Sequence, residues 1–285
     1  MVARGDERAT AELALVLLAR NLEHRRERAG GAWEIWVPVE TAQAAAAELA
    51  AYRAENTRAG APRPPVEAID TGWPGVGAYV AVLLAVFGFL RRDFLGFDWL
   101  AAGRLDAGAV SAGEWWRTVT ALTVHLDVSH LGSNLAFGGF FGYFVGRHLG
   151  NGLGWAAILA AGALGNGLNA LVQPATHRSI GASTAVFAAV GILSAYTWRR
   201  GLIRHTWRAR VGPIVAGIAL LAYTGTGGEN TDIVAHLTGF LAGLGAGALC
   251  ASPVVPRGRQ AQRAFAYGAA AMLALAWWIA LGRSG

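Results

Sequence analysis

Two side chains in apolar segments, Ser183 and His236, are of the types that carry out nucleophilic chemistry. Ser183 lies among the small and apolar residues of the stretch 179–190, and His236 lies near the start of a later apolar segment. An imidazole can remove the proton of a serine hydroxyl and later return it to a leaving amine. If the fold brings the two side chains together, the pair is predicted to support covalent acyl transfer.

Two further polar side chains could stabilise the negative charge that such a reaction develops. His130 and Asn134 are four residues apart, so they share one face of a helix, and both offer side-chain N–H donors. Together with the backbone N–H of Ser183, they are predicted to form an oxyanion hole. Asp232 precedes His236 by one turn, and we interpret it as a helix cap or first-turn acid, with an orienting contact to His236 as the alternative.

The composition indicates that these residues belong to a membrane protein. Of the 285 residues, 54% are hydrophobic and 15% are charged, and the mean hydropathy is +0.38, which is too apolar for an ordinary soluble domain. All 24 basic residues are arginine, and most adjoin apolar runs, which is typical of juxtamembrane charge and predicts no nucleic-acid partner. The single cysteine, Cys250, excludes disulfide frameworks and cysteine-based metal sites.

Seven apolar runs predict transmembrane helices. Several are shorter than the roughly 20 residues that span a bilayer core, which a compact bundle tolerates. Arginine-rich segments at 199–210 and 257–263 place their loops in the cytoplasm with the N-terminus, and leave the C-terminus outside. No signal-peptide pattern opens the chain, so the N-terminal segment is expected to stay cytoplasmic. The predicted helices are 76–90, 131–145, 153–172, 183–198, 211–223, 233–251 and 265–281.

In this topology the second, fourth and sixth helices all begin at the outer face of the membrane. They carry His130 with Asn134, Ser183, and His236 near their respective starts. Polar groups at this depth are costly to leave unpaired, so these side chains are expected to face one another or a water-filled cavity. The sequence therefore predicts one shared site that opens to the outer side.

Small residues predict how closely these helices pack. Gly239 and Gly243 lie four residues apart on the helix of His236, and Gly181 begins a row of small residues at the same spacing on the helix of Ser183. Two such faces let helix backbones approach closely. This packing is expected to bring the Ser183 hydroxyl within hydrogen-bonding reach of His236.

The N-terminal segment has a different pattern from the rest of the chain. A helix over 9–28, stopped by Gly30 and Gly31, is followed by a predicted strand at 33–39 and a second helix over 40–56. So small a unit needs another strand or a membrane surface to cover its apolar face. We expect a small α/β domain at 1–60, a linker at 61–72, a six-helix core at 73–251, and a basic loop with an extra transmembrane helix at 252–285.

The motifs around these residues resemble those of the rhomboid intramembrane serine proteases. The stretch 114–134, EWWRTVTALTVHLDVSHLGSN, is similar to the family's W-R signature followed by H-x4-H-x3-N. The tripeptide 181–183, GAS, matches the nucleophile motif, and 235–243, AHLTGFLAG, resembles A-H-x-x-G-x-x-x-G. The resemblance implies Ser183 as nucleophile, His236 as its base in a catalytic dyad, and His130 with Asn134 in the oxyanion hole.

The same resemblance implies the architecture and the substrates. It implies an all-α membrane protein with a six-helix rhomboid-like bundle and a seventh C-terminal helix, preceded by the small α/β domain. The expected substrates are single-span transmembrane proteins, cut near the membrane surface where a helix unwinds, and the expected location is a bacterial cell membrane. Thr184 departs from the pattern, because it replaces the second glycine of the family's G-x-S-G, and it is expected to crowd the substrate approach.

Other classes of protein are less consistent with the sequence. A proteolytically inactive relative that binds client transmembrane helices would typically lack Ser183 or His236, and both are present. A transporter would be favoured by inverted repeats or acidic intramembrane residues, and we find neither in the sequence. The sequence contains no H-E-x-x-H motif and its histidines lack an obvious carboxylate partner, so neither a metal nor another cofactor is predicted. His125 is interpreted as a scaffold residue, and the oligomeric state is left open.

Overall fold

A computed structural model describes residues 1–59, 69–200 and 232–283. The chain divides into two compact units, Met1–Pro65 and Val66–Gly285, which we describe separately. The predicted fifth helix at 211–223 and most of the basic loop at 199–210 lie outside the described residues.

The N-terminal unit is a three-stranded antiparallel sheet with two helices. Its elements are β1 (Ala3–Gly5), α1 (Glu7–Ala19), β2 (Arg25–Ala29), β3 (Ala32–Trp36), a short 3-10 turn (Val39–Thr41) and α2 (Ala42–Ala59), with strand order β1-β3-β2. The apolar faces of both helices and of β3 meet in a core of residues that are almost fully buried: Leu17, Ile35, Ala45 and Leu49.

The structure corrects the predicted extent of the first helix. The side chain of Asp6 caps the start of α1 at the N–H of Ala9, and the helix ends at Ala19 instead of continuing to residue 28. Residues 25–29 form a strand because Gly30 and Gly31, both with positive φ, make the tight turn that pairs β2 with β3. The additional strands cover the apolar face that a helix-strand-helix unit would leave exposed.

The second unit is a bundle of long helices with short elements between the first two of them. Each predicted segment that falls within the described residues coincides with a helix, and four helices, α3, α8, α10 and α11, are long and apolar enough to cross a membrane among those described. The helices are α3 (Trp73–Arg91), α4 (Trp99–Gly103), α5 (Ala107–Ser111), α6 (Arg117–Thr120), α7 (Val128–Leu149), α8 (Asn151–Val172), α9 (Ser183–Arg199), α10 (Ile233–Cys250) and α11 (Arg259–Arg283).

The segment between α3 and α7 is a compact, hydrogen-bonded structure. Strand β4 (Leu105–Asp106) pairs with β5 (Arg178–Ser179), which lies just before α9. The guanidinium of Arg117 donates to the carbonyls of Ala101 and Arg104 at 2.8 and 3.0 Å and to Glu114 at 2.5 Å. Arg117 of the W-R signature therefore stabilises, through these hydrogen bonds, the segment that leads into α7.

Helices α9 and α10 pack with their backbones in close contact. A Cβ atom on Gly239, Gly243 or Gly247 would lie only 2.3, 2.2 or 2.4 Å from a backbone carbonyl oxygen of α9. Any larger side chain would push the two helices apart, since such distances are well below van der Waals contact. The glycine row thus sets the separation between the helix of Ser183 and the helix of His236.

Candidate active site

The first turns of α9 and α10 bring Ser183 and His236 together. The Oγ atom of Ser183 and the Nε2 atom of His236 are 2.9 Å apart. The His236 ring is 6% exposed and stacks on Phe187, with ring centroids 4.5 Å apart. Phe187 was not predicted from the sequence, although its position one turn after Ser183 puts it on the same helix face.

The start of α9 leaves backbone donors free beside the hydroxyl. Ser183 is the first residue of the helix, so its N–H has no acceptor within the helix, and the preceding Ala182 supplies no side-chain cap. The partial positive charge of a helix N-terminus adds to these donors. This end of α9 is therefore suited to an oxygen atom that carries negative charge.

The structure places the His130 ring against the turn that precedes Ser183. Gly181 has a φ of +113°, and a Cβ atom on it would lie 2.6 Å from the His130 Nε2 atom. Both the backbone conformation and the imidazole therefore require glycine at this position. His130 in turn lies in the first turn of α7, where Asp127 caps its backbone N–H at 2.7 Å.

Asn134 lies one turn deeper on the same helix and is buried. Its Nδ2 atom donates to the His130 carbonyl at 2.9 Å, and the Tyr79 hydroxyl donates to the Asn134 carbonyl at 2.8 Å. An amide group has two N–H donors, so one remains for another acceptor. The His130 ring thus contacts the turn before Ser183 directly, whereas the Asn134 side chain donates to a carbonyl of its own helix.

The contacts of His125 support its interpretation as a scaffold residue. Its ring is fully buried, and its Nδ1 atom lies 3.3 Å from the Thr123 carbonyl while its Nε2 atom accepts the Ala182 N–H at 3.3 Å. Because a carbonyl can only accept, these partners assign the proton to Nδ1. The ring also meets that of His130 edge-on at 4.9 Å. His125 therefore supports both the Ser183 turn and His130.

Asp232 caps α10 and is bonded away from His236. Its Oδ1 atom accepts the Ala235 N–H at 3.0 Å, and its Oδ2 atom accepts from His177 Nε2 and Asn169 Nδ2, each at 2.7 Å. The Nδ1 atom of His236 is buried without a hydrogen-bond partner among the described residues. The cap interpretation accounts for these contacts, and His177 is a partner that the sequence did not reveal.

Thr184, which the sequence led us to expect in the path of the substrate, has its side chain packed inside the bundle. The Thr184 side chain is 3% exposed, and its methyl group packs where Gly165 of α8 and Gly239 of α10 leave room. Successive residues on a helix point about 100° apart, so the residue after Ser183 faces the bundle interior and not the Ser183 hydroxyl.

Fold and site together define a helical integral membrane protein in which a serine and a histidine meet at the ends of neighbouring helices. Residues 112–253 match the sequence profile of the Rhomboid domain, a range that contains α7 to α10 and the side chains of Ser183, His236, His130 and Asn134. This chain is a member of the rhomboid family.

Curated relatives agree with this assignment. Rhomboid-like protease 2 of Toxoplasma gondii is 31% identical over 144 residues, which cover 48% of this chain and 48% of that protein. Rhomboid-like protein 11, chloroplastic, of Arabidopsis thaliana is 33% identical over 143 residues, or 46% of this chain and 50% of that protein. Rhomboid protease GluP of Bacillus subtilis is 28% identical over 156 residues, or 54% and 30%. The chain spans about half or less of the length of these relatives.

Proposed function

We propose that this protein is an intramembrane serine endopeptidase with a Ser183–His236 catalytic dyad. The observation that carries the proposal is the 2.9 Å contact between Ser183 Oγ and His236 Nε2 at the start of two packed helices. The protease names of two of the relatives, at 31% and 28% identity, support it. We also propose that the site opens to the outer side, with the N-terminal domain in the cytoplasm, as the arginine distribution predicts.

The proposed reaction begins when His236 Nε2 takes the Ser183 proton and Oγ attacks the carbonyl carbon of a peptide bond. The resulting oxyanion accepts hydrogen bonds from the Ser183 N–H and from side-chain N–H groups of His130 and Asn134. Collapse of this intermediate breaks the C–N bond, and the imidazolium gives its proton to the leaving amine. Water then hydrolyses the acyl-enzyme, with His236 again acting as base.

The dyad works without a third residue in this proposal. In a triad, a carboxylate holds the second imidazole nitrogen and stabilises the imidazolium. Here the carboxylate nearest in sequence, that of Asp232, is already bonded to Ala235, His177 and Asn169. In this proposal, stacking against the Phe187 ring fixes the plane of the His236 imidazole.

The proposed substrates are single-span membrane proteins with a helix-destabilised segment. A peptide bond within an intact helix is hidden, and its carbonyl is already hydrogen-bonded, so the segment must unwind before Ser183 can attack. The alternative function is that of an inactive relative that binds client transmembrane helices. The presence of both dyad side chains within bonding distance favours the enzyme.

The test is cleavage of a reporter that carries one helix-destabilised transmembrane segment by the purified protein. We expect Ser183→Ala and His236→Ala to reduce cleavage to background at equal folded amounts. Ser194→Ala is the matched control, because Ser194 lies on the same helix and its buried hydroxyl donates to the Val190 carbonyl of that helix at 2.8 Å. This control is expected to retain activity.

Cleavage that survives Ser183→Ala would refute the nucleophile assignment. Absence of cleavage by every version, together with failure of a serine-reactive phosphonate to label Ser183, would favour the client-binding alternative.

A further inference from the structure

A cavity within the membrane unit takes no part in the proposed reaction. Its volume is about 360 Å³, within the range of roughly 300–1,000 Å³ that is usual for ligand pockets. Residues of α3, α8 and α11 form most of its walls, and Ala182 and Ala185 close it on the side of α9. The cavity therefore abuts the turn that carries Ser183.

The cavity is lined mostly by apolar side chains. On α8 its lining extends from Asn151 to Leu159, and on α11 from Ala266 to Leu273, which corresponds to about 10–12 Å along each helix axis. Most of the lining is alanine, leucine, valine and isoleucine, and none of the described lining residues is acidic. An apolar slot of this length between membrane-spanning helices can hold part of a hydrocarbon chain.

One end of the slot carries two hydrogen-bond donors without an acceptor among the described residues. The Oδ1 atom of Asn151 accepts the Gly75 N–H at 3.0 Å, so the Nδ2 atom is its remaining polar group. That Nδ2 atom and the indole Nε1 of Trp155 are buried and have no partner within the described part of the chain. Both residues line the cavity. Because an unpaired N–H in an apolar site is costly, this end favours a ligand with an acceptor oxygen.

The same end lies where the three lining helices begin. The Asn151 contact joins the starts of α3 and α8, and Gln262 in the first turn of α11 accepts the Leu153 N–H at 2.9 Å. Arg263 precedes the lining residue Ala266 by three positions, so the two share a helix face, and Arg263 is exposed. Positive charge at a membrane surface attracts anionic lipid headgroups.

We propose that this cavity binds an anionic phospholipid of the bilayer. One acyl chain fills the apolar slot, an ester carbonyl accepts hydrogen bonds from Asn151 Nδ2 and Trp155 Nε1, and the headgroup phosphate lies near Arg263. The apolar slot matches an acyl tail, the two donors match an ester carbonyl, and Arg263 matches a phosphate. This inference does not depend on the proposed peptidase activity.

The test uses the full chain in phosphatidylethanolamine vesicles that contain phosphatidylglycerol with a diazirine on one acyl chain. After irradiation, mass spectrometry locates the labelled peptides. We expect labelling to concentrate on the cavity-facing parts of α3, α8 and α11. Ala270→Trp, which fills the slot, should lower this labelling at least several-fold. Ala271→Trp is the matched control, because Ala271 is exposed and is not among the lining residues.

Two further variants test the polar end. Trp155→Phe keeps an aromatic ring but deletes the N–H, and Arg263→Gln removes the charge. We expect both to weaken competition by unlabelled phosphatidylglycerol, and Arg263→Gln to abolish its advantage over phosphatidylcholine. Folded, monodisperse protein is selected by size-exclusion chromatography before each measurement.

Three results would overturn the proposal. The first is labelling that is spread evenly over the lipid-facing surface and is unchanged by Ala270→Trp. The second is equal competition by unlabelled phosphatidylglycerol for both polar-end variants and for the unmodified protein. The third is protection of the cavity by a single-span peptide but not by phospholipid, which would assign the slot to a protein helix.

Discussion

Two histidines near the start of α10 have opposite surroundings. His236 contacts Ser183 through one nitrogen, and its other nitrogen has no partner among the described residues. His177, in contrast, donates to Oδ2 of Asp232, which also accepts from Asn169, while Oδ1 of Asp232 accepts the Ala235 N–H. One region is sparsely bonded, while in the other both carboxylate oxygens are occupied.

The difference in hydrogen bonding distinguishes the proposed catalytic pair from the residues that support the fold around it. The Asp232 carboxylate accepts three hydrogen bonds and so joins α8, the loop before α9 and the start of α10. His236 instead faces the Ser183 hydroxyl through Nε2, and no carboxylate among the described residues is bonded to its Nδ1. We therefore expect substitutions in the two regions to change different quantities, namely turnover at the pair and the free energy of unfolding at Asp232.

Beyond the two dyad residues, the largest effect is expected from His130→Ala. Removal of one oxyanion donor typically lowers kcat about 10²–10³-fold, and the ring also fills the space above Gly181. Turnover of the transmembrane reporter is the measurement, with Ser133→Ala as the control, since Ser133 is exposed and only donates to the His130 carbonyl. Near-normal turnover in His130→Ala would remove this residue from the oxyanion hole.

Asp232→Ala is expected to destabilise the fold more than it slows turnover. Loss of the cap and of an acceptor for the buried Asn169 and the partly buried His177 should lower the free energy of unfolding by about 2–4 kcal/mol. Unfolding in detergent micelles measures this change, and kcat per folded molecule should stay within about threefold if Asp232 only supports the helix. A much lower kcat at unchanged stability would instead give Asp232 a role in proton transfer.

Thr184→Gly tests the packing beside the nucleophile. The buried methyl group fills space that two glycines leave open, so its loss is expected to cost about 1–3 kcal/mol of unfolding free energy. Turnover at low temperature should change little, since the side chain faces away from the Ser183 hydroxyl. A marked rise in turnover would restore the view that Thr184 obstructs the substrate.

The smallest effect is a pH dependence at β4, the strand that pairs with β5 before α9. The Ala109 N–H and the Arg178 guanidinium both hold the pKa of the Asp106 carboxyl below its ordinary value. The stabilisation is therefore present above the unfolded-state pKa and is lost as the pH falls through the lower folded-state value. Unfolding midpoints between pH 6 and pH 3 should fall slightly less in Asp106→Asn than in the unmodified protein. Identical slopes would exclude this contribution.

The sequence predicted the helices well because their signal is local. Runs of apolar residues need no partner to be recognised, and the predicted segments at 76–90, 131–145 and 153–172 each lie within a helix. The N-terminal helix was predicted nine residues too long because pairing of β2 with β3 is a contact between segments. Strand pairing of this kind competes with local helix propensity, and periodicity alone does not register it.

The candidate site was predictable where residue type and spacing carried it. Ser183, His236 and His130 stood out because polar groups are rare and costly in apolar segments. His177 did not stand out, because its partner Asp232 is 55 residues away in the sequence. Phe187 resembled an ordinary apolar residue of its helix, and its stacking on His236 depends on how α9 and α10 are rotated.

The amino-acid sequence by itself determined the apolar helices, the chemical types at their starts and the glycine rows that permit close packing, since each depends on composition and short spacing. The tertiary structure decided which groups touch. It turned Thr184 into the bundle and placed His130 over Gly181. It also committed Asp232 to His177 and left the second nitrogen of His236 free among the described residues. The physical reason is that a side chain's partners depend on the rotation and separation of whole helices, which backbone contacts set across long stretches of the chain.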